Sequence, residues 1–326
     1  DEEYRNNLYS LWTNYCVSES YEPGSTFKPV TVASALEEGV VKDGDTYVCK
    51  GFETVADYKL KCHVFSTIGS HGSLTVEQAL MNSCNPYMIH LALEMGNSRF
   101  AYYQSLFGFG KITGIDLPGE TTGIVYGDRM TTIDAACNSF GQTINVNMMQ
   151  MMAAYCSIIN GGMLYQPHIV KRIESANGEV VKEYKANLVR QTITASTSKL
   201  LRRYLKNTVE EGTAKKAGVT GYSVAGKTGT AQKGDRKDNK WIISFIGHAP
   251  AENPKFAIYV VIDEPYGTTG TSGSSADVLT LTHNILEKLL PYMNVYKDAS
   301  DEYEDTSSSP DELTVDGIPA GTASSN

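Results

Sequence analysis

Apolar residues recur with a helical period over much of the chain before Gly221, and the period changes to two after it. YSVAGKTGTAQK, KWIISFIGHAP and KFAIYVVIDEP are short runs rich in Val, Ile and aromatics, separated by polar turns, and they predict three adjacent antiparallel strands. An amphipathic closing helix follows over 276–293. Upstream, YEPGSTFKPVTVASALEEG (21–39) reads as a glycine turn feeding a helix that Gly39 caps. Residues 44–72 form a polar excursion with strand-like pieces around YVCKGF and YKLKCHVF. Thr75 and Gln78 have capping-box spacing before a helix that stops at Ser83-Cys84-Asn85. Pro86 suits the first turn of the next helix, which ends at Gly96. The glycines of FGFGKITG read as turn geometry, because no strand-to-helix dinucleotide context surrounds them. Residues 146–160 make the most apolar helix, its methionine stripe suited to core packing. A hairpin centred on Asn177-Gly178 and a helix across 195–212 precede the strands.

Composition changes this picture little, but the distribution of charge does. Hydrophobic content of 41% and charged content of 20% are ordinary for a globular chain. Of the formal charge of -9, most lies in residues 297–326, which hold eight acidic side chains against one lysine and too little apolar surface to fold. That tail is expected to be disordered, leaving 1–296 as the folded domain. No basic stripe is present, which argues against nucleic acid as a partner. No run of about twenty apolar residues that could span a membrane is present, and the abrupt opening at Asp1 leads to the expectation of an excised domain.

The candidate chemistry begins at Ser25. A serine hydroxyl is a poor nucleophile near neutral pH without a base. Lys28 lies three residues on, sharing a helix face with it, and a lysine serves as base when burial and nearby positive charge favour its neutral form. Two further patterns follow: Ser83-Cys84-Asn85, and Lys227-Thr228-Gly229-Thr230. Ser-x-x-Lys, Ser-x-Asn and Lys-Thr-Gly in that order are the signature of penicillin-recognising serine enzymes. With EPGSTFK, NSCNP, FGFGKITGIDLPGE, NSFGQ, INGGMLYQPHIV, GKTGTAQ and SFIGHAPAENPKFAIYVVIDEP, the chain resembles the transpeptidase domain of class B penicillin-binding proteins over residues 21–265.

The resemblance implies an α/β fold, an antiparallel sheet flanked by helices plus an all-helical lobe, with the cleft between them. The helical lobe would lie mainly within 40–160 and the sheet lobe within 160–296. It implies a D,D-transpeptidase of peptidoglycan synthesis, with Ser25 as nucleophile, Lys28 as base, Ser83 as relay and Lys227 as the positive charge that keeps Lys28 neutral. Asn85 would hold the substrate amide and Thr228 and Thr230 its carboxylate. The backbone N–H groups of Ser25 and Thr230 would form the oxyanion hole. Gly229 would leave room for substrate alongside the strand. No cofactor is required for this chemistry. The implied partners are stem peptides, β-lactams that acylate Ser25, and glycosyltransferase and scaffold proteins; the implied location is outside the cytoplasmic membrane, by an anchor absent from this chain. A β-lactamase or carboxypeptidase, and a β-lactam sensor, are the rivals. No Glu-x-x-Leu-Asn segment supplies a deacylating glutamate between the second and third motifs.

Six cysteines stand at 16, 49, 62, 84, 137 and 156. Cys137 and Cys156 fall in apolar helical stretches and read as small buried hydrophobes. Cys84, inside the second motif, and Cys49 and Cys62, in the excursion, lie near Asp57 and His63 and suit a tetrahedral zinc site of structural character. The expected ligands are Asp57, Cys62, His63 and Cys84. Cys49 or His71 stands as a replacement, since the adjacent Cys62 and His63 would point apart in a strand. A Cys49–Cys62 disulfide, or three unrelated thiols, are the alternatives.

Overall fold

The structure, a computed structural model, describes residues 2–234, 240–265 and 274–299. Most of the acidic tail therefore lies outside the described residues. Two short helices, α1 (Glu2–Ser10) and α2 (Tyr15–Ser18), lead to α3 (Lys28–Glu38), which Gly39 ends in the left-handed conformation at φ 78°. α3 is buried along its first two turns, from Lys28 to Ala35, and packs against five later helices. A helix buried on nearly all sides holds its terminal side chains in fixed positions, and this one begins at Lys28.

The excursion folds into β1 (Thr46–Cys49), β2 (Phe52–Val55), β3 (Tyr58–Lys61) and β4 (Gly72–Thr75). β1 pairs with β4, and β2 with β3 as a hairpin in the register Phe52 opposite Lys61. α4 (Val76–Met81) opens with the expected Thr75–Gln78 capping box. α5 (Asn85–Met95) starts directly after Cys84, carries Pro86 in its first turn and ends at Gly96. α6 (Asn97–Leu106), α7 (Thr132–Asn138) and α8 (Met148–Ile159) complete the helical part, with α8 capped reciprocally by Asn147 and Gln150.

β5 (Met163–Gln166) pairs with β8 (Asn187–Gln191), and between them β6 (Arg172–Glu174) and β7 (Val180–Glu183) form the hairpin expected around Asn177-Gly178. The strand β8 carries no periodic signal in the sequence, being exposed over most of its length. α9 (Ala195–Glu210) leads to β9 (Ala225–Lys233), β10 (Lys240–Ala249) and β11 (Phe256–Asp263), then α10 (Ala276–Tyr292). The three strands form one antiparallel sheet in the order β11-β10-β9.

Alternation along β10 separates its two faces. Ile243 and Phe245 join Val278, Leu279, Leu286 and Leu290 of α10 in one cluster, while Ile246 faces the larger core built around α3, α5 and α8. With apolar layers on both sides β10 is buried from Trp241 to Ala249. The fold is the expected α/β arrangement of helices and antiparallel sheet, and it leaves β9 at the sheet edge against the turn that carries Ser25.

Candidate active site and thiol cluster

Ser25 stands on a 3₁₀ turn, Gly24–Phe27, that runs directly into α3. In a 3₁₀ turn residues i and i+3 eclipse, so the local winding puts Lys28 beneath Ser25. The turn is pinned by glycines. Gly24 has φ 56°, its N–H donates to Gly141 O at 2.9 Å, and a Cβ placed there would run into Thr230 O. A Cβ at Gly141 would in turn run into Gly24 O. EPGS, NSFGQ and GKTGT therefore meet through bare backbone, which only glycine permits at this separation.

Three hydrogen bonds hold the amine of Lys28, which is fully buried: to Ser83 O at 2.6 Å, Asn85 Oδ1 at 2.7 Å and Ser83 Oγ at 2.9 Å. Ser83 Oγ lies 3.0 Å from Ser25 Oγ. The second motif thus supplies a hydroxyl bonded to both the nucleophile and the amine. Ser83 reaches this position with φ 54°, in the left-handed region that costs a β-carbon-bearing residue about 1 kcal/mol or more. Its contacts with Lys28 hold it there. Asn85, at the start of α5, also donates from Nδ2 to Lys61 O at 3.2 Å, tying the motif to the end of β3.

On β9, Lys227 is fully buried, and its amine lies 3.3 Å from both the carbonyl and the hydroxyl of Thr228. Burial lowers the Lys28 amine to about 8, while the nearby Cys62 and Cys84 thiols work against the fall. Lys227 is depressed well below the usual lysine value, first by burial and then by Lys28. Both amines of the motifs are thus depressed by burial, Lys28 with three acceptors around it and Lys227 with the carbonyl and hydroxyl of Thr228. Two buried ammonium groups facing one cleft disfavour each other's charge.

Gly229 is packed against protein on the side where a β-carbon would stand. A Cβ there would meet Ser244 Oγ at 2.6 Å, Thr26 Cγ2 at 2.8 Å and Pro23 O at 2.9 Å. Those are atoms of the protein, so the glycine lets β9 close onto the nucleophile turn.

Beside the motif lies a second cluster. Cys49 at the end of β1, Cys62 after β3, His71 before β4 and Cys84 before α5 bring their ligand atoms within 4.8 Å of one another. All six cysteines are free thiols, which removes the Cys49–Cys62 disulfide. Gly51 N–H donates to Cys49 Sγ at 3.4 Å. The three sulfurs act on one another: with Cys84 beside them Cys49 falls to about 5 and Cys62 falls well below the thiol range, while the Cys84 thiol is pushed far up. Burial alone would lower His71, but its contacts with Cys62 and Cys49 outweigh burial and raise it.

Of the four expected ligands, Cys62 and Cys84 are in this cluster and Asp57 and His63 are not. Asp57 is exposed in the turn of the β2–β3 hairpin, at the end opposite Cys62, and four strand residues at about 3.4 Å each separate them. His63 follows Cys62 in the chain; its Nδ1 is 3.9 Å from Cys62 Sγ, but it does not join the group. The β1–β4 pairing instead brings Cys49 opposite Gly72, and so His71 onto the thiols.

The penicillin-binding protein transpeptidase domain matches residues 1–287, and the chain belongs to that family. Among its relatives, stage V sporulation protein D of Bacillus subtilis is 41% identical over 288 residues, which cover 86% of this chain and 44% of that protein. The peptidoglycan D,D-transpeptidase FtsI of Escherichia coli K12 is 32% identical over 292 residues, covering 88% and 46%. Among solved structures, penicillin-binding protein 3 of Mycobacterium tuberculosis complexed with aztreonam superposes with a TM-score of 0.78 at 28% identity, over 88% of this chain and 66% of that one. The resemblance drawn from the motifs is borne out. The chain spans a little under half the length of the curated relatives it matches.

Proposed function

We propose that the chain is a serine D,D-transpeptidase domain that cross-links peptidoglycan stem peptides on the outer side of the cytoplasmic membrane. The observation that carries this reading is the unbroken hydrogen-bonded line Ser25–Ser83–Lys28, lying against the Lys227–Thr230 strand. Once Lys28 has lost its proton, Ser83 can accept the proton of Ser25 and pass its own to the amine, so that Ser25 Oγ attacks the carbonyl of the penultimate D-alanine. The tetrahedral oxyanion is received by the backbone N–H groups of Ser25 and Thr230. Each such donor is worth about 10²- to 10³-fold in rate. The line run in reverse returns a proton to the departing D-alanine amine.

Asn85 holds the amide of the donor peptide, and the hydroxyls of Thr228 and Thr230 hold its terminal carboxylate. As the acyl-enzyme is attacked by the amine of a second stem peptide, Lys28 takes the proton released. Every step uses side chains and backbone of this chain, with no cofactor. A β-lactam enters the same place as a strained amide and leaves Ser25 acylated. Glycosyltransferase and scaffold proteins of wall synthesis are the partners this role calls for.

Intact-mass spectrometry after incubation with a penicillin tests the reading. One stable adduct per chain, lost in Ser25→Ala, is the expected result. An adduct that hydrolyses within minutes would move the assignment to a β-lactamase, and the absence of any adduct would overturn it.

A further inference from the structure

The Cys49, Cys62, His71 and Cys84 cluster is outside the chemistry just described, yet its last member sits between two residues of that chemistry. Its dimensions are those of a metal site. Tetrahedral zinc with sulfur at about 2.3 Å and nitrogen at about 2.0–2.1 Å puts ligand sulfurs about 3.8 Å apart and a sulfur about 3.6 Å from a nitrogen. His71 Nδ1 lies 3.8 Å from Cys49 Sγ and 3.5 Å from Cys62 Sγ, and all four ligand atoms fall within 4.8 Å of one another.

The chemistry of the donors agrees with the dimensions. Three thiols and one imidazole match the Cys₃His set that selects zinc over harder cations. The thiols are 1%, 3% and 0% exposed, so water does not compete for them. Gly51 N–H donating to Cys49 Sγ is the kind of outer contact that steadies a ligating thiolate. Three sulfurs and a histidine also fit a metal better than a disulfide, which would use two sulfurs and leave the third thiol and the imidazole facing each other.

We infer that this cluster binds one zinc ion, and that the ion clamps the Ser83-Cys84-Asn85 loop in its acylation-competent geometry. The clamp rests on the transpeptidase reading; the metal site itself does not. Cys84 fixes the peptide on either side of it: Ser83, held at φ 54°, and Asn85, bonded to Lys28 and to Lys61 O next to Cys62. Two ligands, Cys62 and Cys84, thereby join the two ends of the Lys61–Asn85 contact, and Cys49 and His71 anchor that joint to the β1–β4 pair. The ion takes no part in the reaction; it holds the relay hydroxyl in place.

The chain is purified with thiols reduced and without chelator, and zinc is measured by elemental analysis alongside Cys49→Ser and His71→Ala. One zinc per wild-type chain is expected, with less than about a tenth of that in both variants. Because the variants also test folding, cobalt substitution of wild type gives a second readout, with thiolate-to-cobalt charge transfer and the intense bands of a tetrahedral ion expected. Stripping zinc from wild type should slow acylation of Ser25 by penicillin by about 10- to 100-fold, a span set by disturbed metal sites in general, with recovery when zinc is returned. Substoichiometric zinc together with a cobalt spectrum lacking thiolate bands would overturn the site. Full zinc with acylation equally fast in stripped protein would overturn the clamp. If neither loaded nor stripped protein is acylated, the transpeptidase reading fails while the stoichiometry still decides the metal site.

Discussion

The pH dependence of acylation follows directly from the environment of Lys28. The amine is fully buried and lowered to about 8, with burial the dominant cause. It accepts the proton of Ser25 through Ser83 only when neutral, so the second-order rate constant for acylation should track its neutral fraction. At pH 7 about 9% is neutral, at pH 9 about 91%, and the rate should rise about tenfold between them. Between pH 6 and 7 it should rise by nearly another factor of ten. The assay is a pH series with a fluorescent penicillin, quenched at short times and read as protein-bound fluorescence, with circular dichroism confirming the fold at each pH. An inflection within about a unit of pH 8 is expected. An exposed lysine, titrating near 10.4, would give a line that keeps climbing through pH 9 without a bend. That result, or a flat profile from pH 6 to 9, would refute the argument that burial prepares Lys28 as base.

Other expectations follow from the same geometry. Ser83→Ala cuts the line between Ser25 and Lys28 and should lower the acylation rate constant by about 10²- to 10³-fold with the fold intact; a rate within threefold of wild type would mean that Lys28 acts without the relay. Gly141→Ala drives a Cβ into Gly24 O and should cost about 2–4 kcal/mol in urea denaturation, along with acylation, whereas Gly119→Ala, also at positive φ (79°) but with nothing within 4 Å, should cost only the left-handed backbone strain of about 1 kcal/mol and leave acylation unchanged. Lys227→Met replaces a fully buried amine and should raise stability by about 1–2 kcal/mol while slowing acylation by at least about 10²-fold. Thermal melts and penicillin kinetics on the same preparation would show both, and a destabilised variant would contradict the burial argument.

Local chemistry made much of this protein legible in its sequence. Gly39 and Gly96 end their helices, Thr75 and Gln78 cap theirs, Asn177-Gly178 turns its hairpin, and the period of two after Gly221 becomes the three-stranded sheet. Each depends on residues a few positions apart, and neighbours in sequence are enough to specify it. The order and spacing of the three motifs also identified the family, because each motif is itself a local unit.

What tertiary structure alone decided involves segments far apart. Ser25 and Thr230 converge because glycines at 24, 141 and 229 let their backbones close on one another, Ser83 joins them through its bonds to Ser25 and Lys28, and sequence spacing carries no record of these contacts. The ligand set turned on strand pairing: the β2–β3 hairpin points Asp57 away from Cys62, and the β1–β4 pair brings His71 in. The charge of the two lysines was equally hidden. Both were expected in the cleft, but the lowering of both amines comes first from burial, a quantity that exists only once the chain has closed around them.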